Sequence, residues 1–263
     1  MSEKGEYVTG RYRDFLLDVS RGFVDGAEPF YGYGRITTTG AASGVLWPDG
    51  TFETPVIGGE PFEIVSTSAQ DGVNGTGIQS VHVHYLDLNL DAQERIVTLN
   101  GLTAVSSATL NPPIPDCRFV QCMHIETFGS GKAAAGDIYL RRIGGDAQNF
   151  AMIALGKVRC ASSVRMVPRG KRLIITGAVA SSTSGTAAAS CRVELAASMI
   201  DSHNYVYPSV FIPMAGIGFQ DNGFGMNMAP LAAVPEGVLV GLTFTIDKAG
   251  TISGSWFGFL ETV

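Results

Sequence analysis

The sequence predicts an all-β protein made of two β-sandwich domains of the jelly-roll type behind an N-terminal arm. Short segments in which polar and apolar residues alternate recur along the chain, and Gly, Pro, Asn or Asp residues bound them. No amphipathic helical pattern longer than a few turns lies between these segments. Because a parallel sheet needs such helices between its strands, the pattern favours antiparallel sheets.

Residues 1–30 are predicted to form an arm, because charged and aromatic residues are concentrated between positions 7 and 19. Residues 13–19 are compatible with one or two helical turns, with a plain strand or a disordered tail as alternatives. The apolar side chains of this segment have no obvious partner nearby in the sequence. We therefore expect the arm to dock on a neighbouring subunit through these residues: Tyr7, Tyr12, Phe15 and Leu16.

Residues 31–145 are predicted to form the first β domain. Its predicted strands lie at 62–67, 80–86, 95–99, 120–126 and 137–142. Asp-Gly and Asn-Gly pairs between residues 69 and 77 are typical of a tight turn, so the first three strands are expected to form an antiparallel meander. Three prolines within residues 111–116 predict an extended connector after the meander.

Residues 146–263 are predicted to form the second, jelly-roll-like β domain. Its predicted strands lie at 150–156, 163–167, 172–177, 190–197, 210–213, 238–246 and 251–260. Pro-x-Gly sequences at 168–170 and 235–237 each turn the chain into a strand that we expect to be buried. Residues 151–156 are compatible with either domain, so the boundary is placed near residue 145.

The charge balance excludes some partners. The chain carries 18 Lys and Arg against 24 Asp and Glu, a formal net charge of −6, whereas a nucleic-acid binder needs clustered basic residues. No signal peptide opens the sequence and no apolar run reaches membrane-spanning length, so we expect no membrane partner and synthesis in the cytosol. Charged residues make up only 16% of the chain, which favours a surface that meets other subunits.

No metal site or cofactor is predicted. His82 and His84 are two residues apart and share a face if they lie on a strand. The sequence places no third histidine or carboxylate at an evident neighbouring position, and His124 and His203 are expected to be isolated. The aspartate-rich turn at 87–91 lacks the glycine and the distal glutamate of a calcium-binding EF-hand loop.

The four cysteines show no Cys-x-x-Cys spacing. We expect Cys122, Cys160 and Cys191 to be small buried residues on strands, because reduced cysteine is among the most buried residue types. Cys117 follows the proline-rich connector and is expected to be the exposed cysteine, which makes it the candidate for a disulfide. The sequence leaves the pairing open.

No catalytic residues are predicted, and the chain is not expected to be an enzyme. The segment 129–132 reads Gly-Ser-Gly-Lys but lacks the spacing and the following hydroxyl residue of a phosphate-binding loop. Asp87, Asp91 and Glu94 lie on or beside a turn, where acidic residues are common. They would become candidate catalytic carboxylates only if turnover were observed and depended on one of them.

Aromatic residues interleave with glycines in two segments. One contains Tyr31 and Tyr33 and is expected to contact a neighbouring subunit. The other surrounds residues 219–224, where aromatic and Asp or Asn side chains would suit the faces and hydroxyls of a sugar. The candidate ligand-binding residues there are Phe219, Asp221, Asn222 and Phe224.

Several segments together resemble tailed-bacteriophage virion structural proteins. They lie at 64–68, 71–72, 75–77, 81–87, 98–101, 167–177, 234–237 and 256–261. The resemblance implies a non-enzymatic protein of the virion that forms a homo-oligomer, such as a trimer or ring. It also implies attachment to major capsid, portal, neck or tail proteins, as a decoration, cement or collar protein. The alternative is a carbohydrate- or receptor-binding module of a phage fibre or tail.

Overall fold

The computed structural model describes residues 15–49, 52–145, 148–184, 190–198, 211–220, 223–227 and 232–263. Within these ranges the chain contains helix α1 (Phe15–Ser20), a single 3-10 turn (Ser107–Thr109) and seventeen strands. The strands are β1 (Ala27–Thr38), β2 (Ala42–Val45), β3 (Phe62–Ser66), β4 (Ile78–Leu86), β5 (Ala92–Thr98), β6 (Val105–Ser106), β7 (Phe119–Phe128), β8 (Ile138–Arg142), β9 (Asn149–Ile153), β10 (Arg165–Met166), β11 (Lys171–Ser184), β12 (Ser190–Ser198), β13 (Phe211–Gln220), β14 (Gly223–Asn227), β15 (Ala232–Val234), β16 (Leu239–Ile246) and β17 (Gly250–Thr262). The all-β prediction is confirmed. None of the helices in these ranges is long and apolar enough to span a membrane.

Two antiparallel sheets combine the two ends of the described chain. In one sheet the strand order is β1-β17-β11-β14, and β15 also pairs with β11. In the other the order is β10-β16-β12-β13, and β2 also pairs with β16. Buried side chains from both sheets, among them Leu173, Leu242, Phe244 and Trp256, belong to one apolar core.

Two further antiparallel sheets come from the middle of the chain. Their strand orders are β6-β3-β8-β9 and β5-β4-β7. They share a second core that includes Phe62, Ile64, Val81, Val83 and Met123. A third buried cluster, with Trp47, Phe119, Met166 and Leu239 among its members, takes residues from strands of both pairs of sheets and from the segments that join them.

The strand pairing does not follow the expected boundary near residue 145. Strands β1 and β2 pair with β17 and β16, in the C-terminal half of the chain. Strand β9 pairs with β8 across the expected boundary, so residues 149–153 lie in the same sheet as the strands that precede them. Local sequence pattern marks where a strand is, but strand partners are set by contacts between residues far apart in the chain.

Strand β1 passes very close to the core. A Cβ atom built on Gly34 would collide with the Leu46 carbonyl, and one on Gly32 would collide with the Ser163 carbonyl and the Trp256 indole. The same Ser163 carbonyl accepts a hydrogen bond of 2.7 Å from Nε1 of Trp256. Glycine is needed at these two positions because any side chain there would overlap the segment beneath the strand.

The expected meander of the first three strands is wrong, because β3 lies in a different sheet from β4 and β5, and residues 69–77 connect the two sheets. A buried carboxylate holds this connection. Asp71 accepts hydrogen bonds from the Ser66 hydroxyl at 2.7 Å and from the backbone N–H of Ile78 at 2.8 Å. It also accepts bonds of 2.9 Å from the N–H groups of Ala135 and Gly136. The aspartate therefore joins the turn to the chain that leads into β8.

Candidate functional site

The described end of the N-terminal arm packs on its own chain. The Phe15 ring of α1 meets the Phe259 ring of β17 edge-on, with 5.3 Å between centroids, and Val19 is buried. Phe259 is far from this segment in the sequence, which agrees with the absence of a partner nearby in the sequence. Leu16 lies in α1, while Tyr7 and Tyr12 lie outside the described residues. The role of these four residues at a subunit interface remains a prediction.

Strand β1 forms one edge of its sheet, and β17 is its only partner among the described strands. Tyr31 and Tyr33 are 44% and 41% exposed on one face of β1, whereas Gly32 and Gly34, which alternate with them, are buried. Residues 31–34 of β1 therefore alternate between an exposed and a buried face. Both tyrosines lie at the surface, and their role at a subunit interface remains a prediction.

Tyr31 is held by an arginine from the middle of the chain. Nη1 of Arg159 donates a 2.5 Å hydrogen bond to the Tyr31 hydroxyl, and the guanidinium carbon lies 5.2 Å from the centre of the ring. Nε of the same arginine donates to the sulfur of Cys122 at 3.2 Å. A single side chain thus joins the edge strand β1 to β7, a connection that neither sequence segment indicates.

The candidate ligand-binding residues near position 220 fall on two sheets. Phe219 lies in β13, which pairs with β12, and Phe224 lies in β14, which pairs with β11. Asp221 and Asn222 lie outside the described residues. A ligand-binding role for this group remains a prediction.

Cys117 is fully buried, which corrects the expectation that it is the exposed cysteine. The backbone N–H of Glu60 donates to the Cys117 carbonyl at 3.0 Å, so the end of the connector is covered by the chain that enters β3. Burial raises the pKa of the Cys117 thiol well above its ordinary value. A buried, protonated thiol is poorly suited to an intersubunit disulfide.

Cys122, Cys160 and Cys191 are buried, as predicted, but Cys160 lies between β9 and β10 and not on a strand. The sequence did not predict that the sulfur atoms of Cys122 and Cys160 lie 3.2 Å apart. The hydrogen bond from the Cys160 thiol lowers the pKa of Cys122, and Arg165 and Arg159 lower it further. The two residues are far apart in sequence, so their spacing carries no Cys-x-x-Cys signal.

Three histidines form a cluster on the sheet β5-β4-β7, which corrects the expectation of an isolated His124. His82 of β4 pairs directly with His124 of β7, and His84 follows two residues later on the same face. The ring centroids are separated by 4.5 Å for His82 and His84, and His124 lies 5.1 Å from each of them. The third histidine comes from a strand some forty residues away, which sequence spacing cannot show.

Two carboxylates border the histidine cluster, where none was expected. An oxygen of Glu94 lies 3.4 Å from Nε2 of His82 and 3.9 Å from Nδ1 of His84. A Glu126 oxygen lies 3.8 Å from Nδ1 of His82. Partial burial lowers the pKa of His84, and the neighbouring His82 and His124 lower it further. His84 is therefore held toward its neutral form, in which one ring nitrogen carries a free lone pair.

The other acidic residues near this sheet have structural contacts. Asp87 accepts hydrogen bonds from the backbone N–H groups of Asn89 at 2.8 Å and Asp91 at 3.0 Å, which closes the turn between β4 and β5. Asp91 lies 3.7 Å from Arg169 at the surface. These contacts give the acidic residues of this turn a structural explanation.

The fold and these sites define an all-β protein with an aromatic edge strand and a three-histidine face. No known family model and no curated protein matches the chain. Among solved structures, the structure of the infectious bursal disease virus Gx strain aligns with this chain at 8% identity and a TM-score of 0.20. The alignment covers 91% of this chain and 77% of that chain. The VP2 subviral particle of the same virus aligns at 8% identity with a TM-score of 0.11, over 90% and 76%. Similarity this low carries no argument about function.

Proposed function

We propose that this protein is a non-enzymatic structural protein of a phage virion that forms a homo-oligomer and attaches to the capsid, neck or tail. The assignment to a phage rests on the sequence resemblance described above. The assembly role is supported chiefly by one observation, the uncharged aromatic middle of the edge strand β1.

An edge strand presents unpaired backbone N–H and C=O groups that can pair with another chain, and natural proteins usually protect such edges with charges, prolines or bulges. Strand β1 is 12 residues long. It carries Glu28 and Pro29 near its start and Arg35 near its end, so residues 30–34 contain neither a charge nor a proline. The unprotected stretch is the part of β1 that a second copy would cover.

The side chains of this stretch suit a protein interface. Tyr31 and Tyr33 are exposed next to the free edge, and tyrosine is enriched in interfaces because its ring is large, rigid and amphipathic. The Arg159 contact fixes Tyr31 before any partner binds, which reduces the conformational entropy that association would cost. Repetition of a modest contact around a ring or on a capsid would strengthen attachment through avidity.

The test is the mass of the full-length protein in solution, measured by light scattering after size-exclusion chromatography. We expect a discrete oligomer for the wild type and a monomer for Tyr33→Lys, which places a charge on the exposed face of β1. Leu102→Lys is the matched control, because Leu102 is 63% exposed and lies outside β1. Circular dichroism verifies that both variants fold.

A monomeric wild type at high protein concentration would contradict homo-oligomerisation. An oligomer that persists in Tyr33→Lys would assign the interface to another surface. The virion assignment is tested separately, by immunogold labelling of purified phage particles with an antibody raised against this chain. Particles without label would contradict it.

A further inference from the structure

One face of the sheet β5-β4-β7 collects metal-ligand side chains from all three strands. Val81 and Val83 of β4 are fully buried in the core, so His82 and His84, which alternate with them, lie on the opposite face. The strand register pairs His82 with His124 of β7 and His84 with Glu94 of β5. Strand pairing therefore brings His124 and Glu94 next to His82 and His84, which are two residues apart on β4.

The distances within this group approach those of a metal site. One ring nitrogen from each of the three histidines can be chosen so that all three lie within 4.8 Å of one another. A Glu94 oxygen lies 3.4 Å from Nε2 of His82. Glu94 does not belong to the group that meets the 4.8 Å limit, so its exposed side chain would have to rotate for all four residues to contact one ion. Ligand atoms about 2.0–2.1 Å from a tetrahedral zinc ion lie roughly 3.3–3.4 Å from one another. The histidine nitrogens are thus at most about 1.4–1.5 Å farther apart than such an ion requires.

We propose that His82, His84, His124 and Glu94 bind one divalent zinc ion on the outer face of this sheet. Three imidazoles and a carboxylate form a complete tetrahedral ligand set for zinc. The ion would link the three strands β5, β4 and β7 through their side chains. This assignment is independent of the virion role proposed above, because it rests on the ligand geometry alone.

The electrostatics of the face favour a cation between these side chains. Glu94 and Glu126 supply negative charge at the rim of the cluster. Arg159 is the neighbouring cation, since its backbone forms a bridge with His124, but its guanidinium group is bound to Cys122 and Tyr31. Within the described part of the chain, the His124 imidazole has no hydrogen bond or ion pair of its own, so its lone pair is available to a metal.

The experiment uses untagged, full-length protein that has been treated with EDTA and dialysed. Zinc chloride is titrated by isothermal calorimetry, and cobalt(II) chloride is titrated by visible absorption, because the bands of cobalt report tetrahedral coordination. We expect one ion per chain, the absorption of a tetrahedral cobalt site and a melting temperature that rises with zinc concentration. Lowering the pH from 7.5 to 5.5 should weaken binding, because protons compete for the imidazole nitrogens.

The variants locate the site. His124→Gln should weaken zinc binding on the order of 100-fold or more, since loss of a ligand exceeds the effect of losing an outer-shell partner. His203→Gln is the matched control, because it removes the only histidine outside the cluster, and it should bind as the wild type does. If His124→Gln does not fold, Glu94→Gln carries the test, because the Glu94 side chain is 68% exposed.

Several outcomes would overturn the proposal. Absence of saturable binding to the wild type would do so, as would unchanged affinity in both His124→Gln and Glu94→Gln. Loss of binding in His203→Gln, with retention in the two cluster variants, would place the ion elsewhere. None of these results bears on the oligomeric state of the metal-free protein, so the two proposals fail separately.

Discussion

The sulfur atoms of Cys122 and Cys160 lie 3.2 Å apart in the interior of the protein. Cys122 belongs to β7, and the backbone N–H of Cys160 donates to the Met123 carbonyl at 2.8 Å, so the two backbones lie side by side. Cys122 also accepts the hydrogen bond from Arg159 that leads to Tyr31. The thiol pair and the edge strand are therefore parts of one connected set of contacts.

We predict that mild oxidation joins Cys122 to Cys160. The hydrogen bond from the Cys160 thiol and the nearby arginines favour the thiolate of Cys122, which is the reactive form in disulfide exchange. With oxidised glutathione as the oxidant, the two thiols lose two protons and two electrons, and one glutathione disulfide is reduced to two thiols. Peptide mapping should find this pair linked while Cys117 and Cys191 remain free. A linked Cys117 would contradict the prediction.

Asp71→Asn is expected to destabilise the protein by about 2–4 kcal/mol, because the buried carboxylate accepts four hydrogen bonds and the amide cannot accept all of them. Urea unfolding at neutral pH measures the change. Asp91→Asn is the matched control, since Asp91 is half exposed and its ion pair with Arg169 is long. A surface pair of this kind contributes about 0–1 kcal/mol. Equal losses of stability in both variants would show that the hydrogen bonds to Asp71 contribute no more than an exposed ion pair.

Gly34→Ala is expected to lower the free energy of unfolding by about 1–3 kcal/mol or more, because the new methyl group overlaps the Leu46 carbonyl beneath β1. The matched control is Gly40→Ala, where no atom lies within 4 Å of the added carbon. Thermal unfolding of the two variants, with circular dichroism to verify the fold, measures the difference. Wild-type stability in Gly34→Ala would mean that β1 can move away from the core without cost.

Glu53→Gln is expected to gain stability relative to the wild type as the pH rises from 4 to 7. Burial raises the pKa of Glu53, with Glu60 adding to the effect and Arg142 opposing it. The folded state then binds more protons than the unfolded state in this range, so the wild type loses stability as the pH rises through the folded-state pKa. Parallel urea titrations at several pH values measure the difference between the two proteins. A difference that does not change with pH would contradict the assignment.

The sequence by itself determined the fold class and much of the local structure. Alternating side chains located β3, β4 and β5, and the glycine-rich turn before β4 is present with Asp71 at its centre. The placement of His82 and His84 on one face follows directly from the two-residue period of a strand. Such features depend on residues that are close together in the chain, so short stretches of sequence are enough to predict them.

Only the tertiary structure decided which strands are partners and which side chains meet. The pairing of β1 with β17 joins opposite ends of the described chain, and the pairing of β4 with β7 brings His124 to His82. The same long-range packing buries Cys117 and places Cys160 beside Cys122. Strand pairing depends on the match of whole hydrophobic faces across large sequence separations. No local pattern contains that match, so the histidine cluster and the thiol pair become visible only when the sheets have formed.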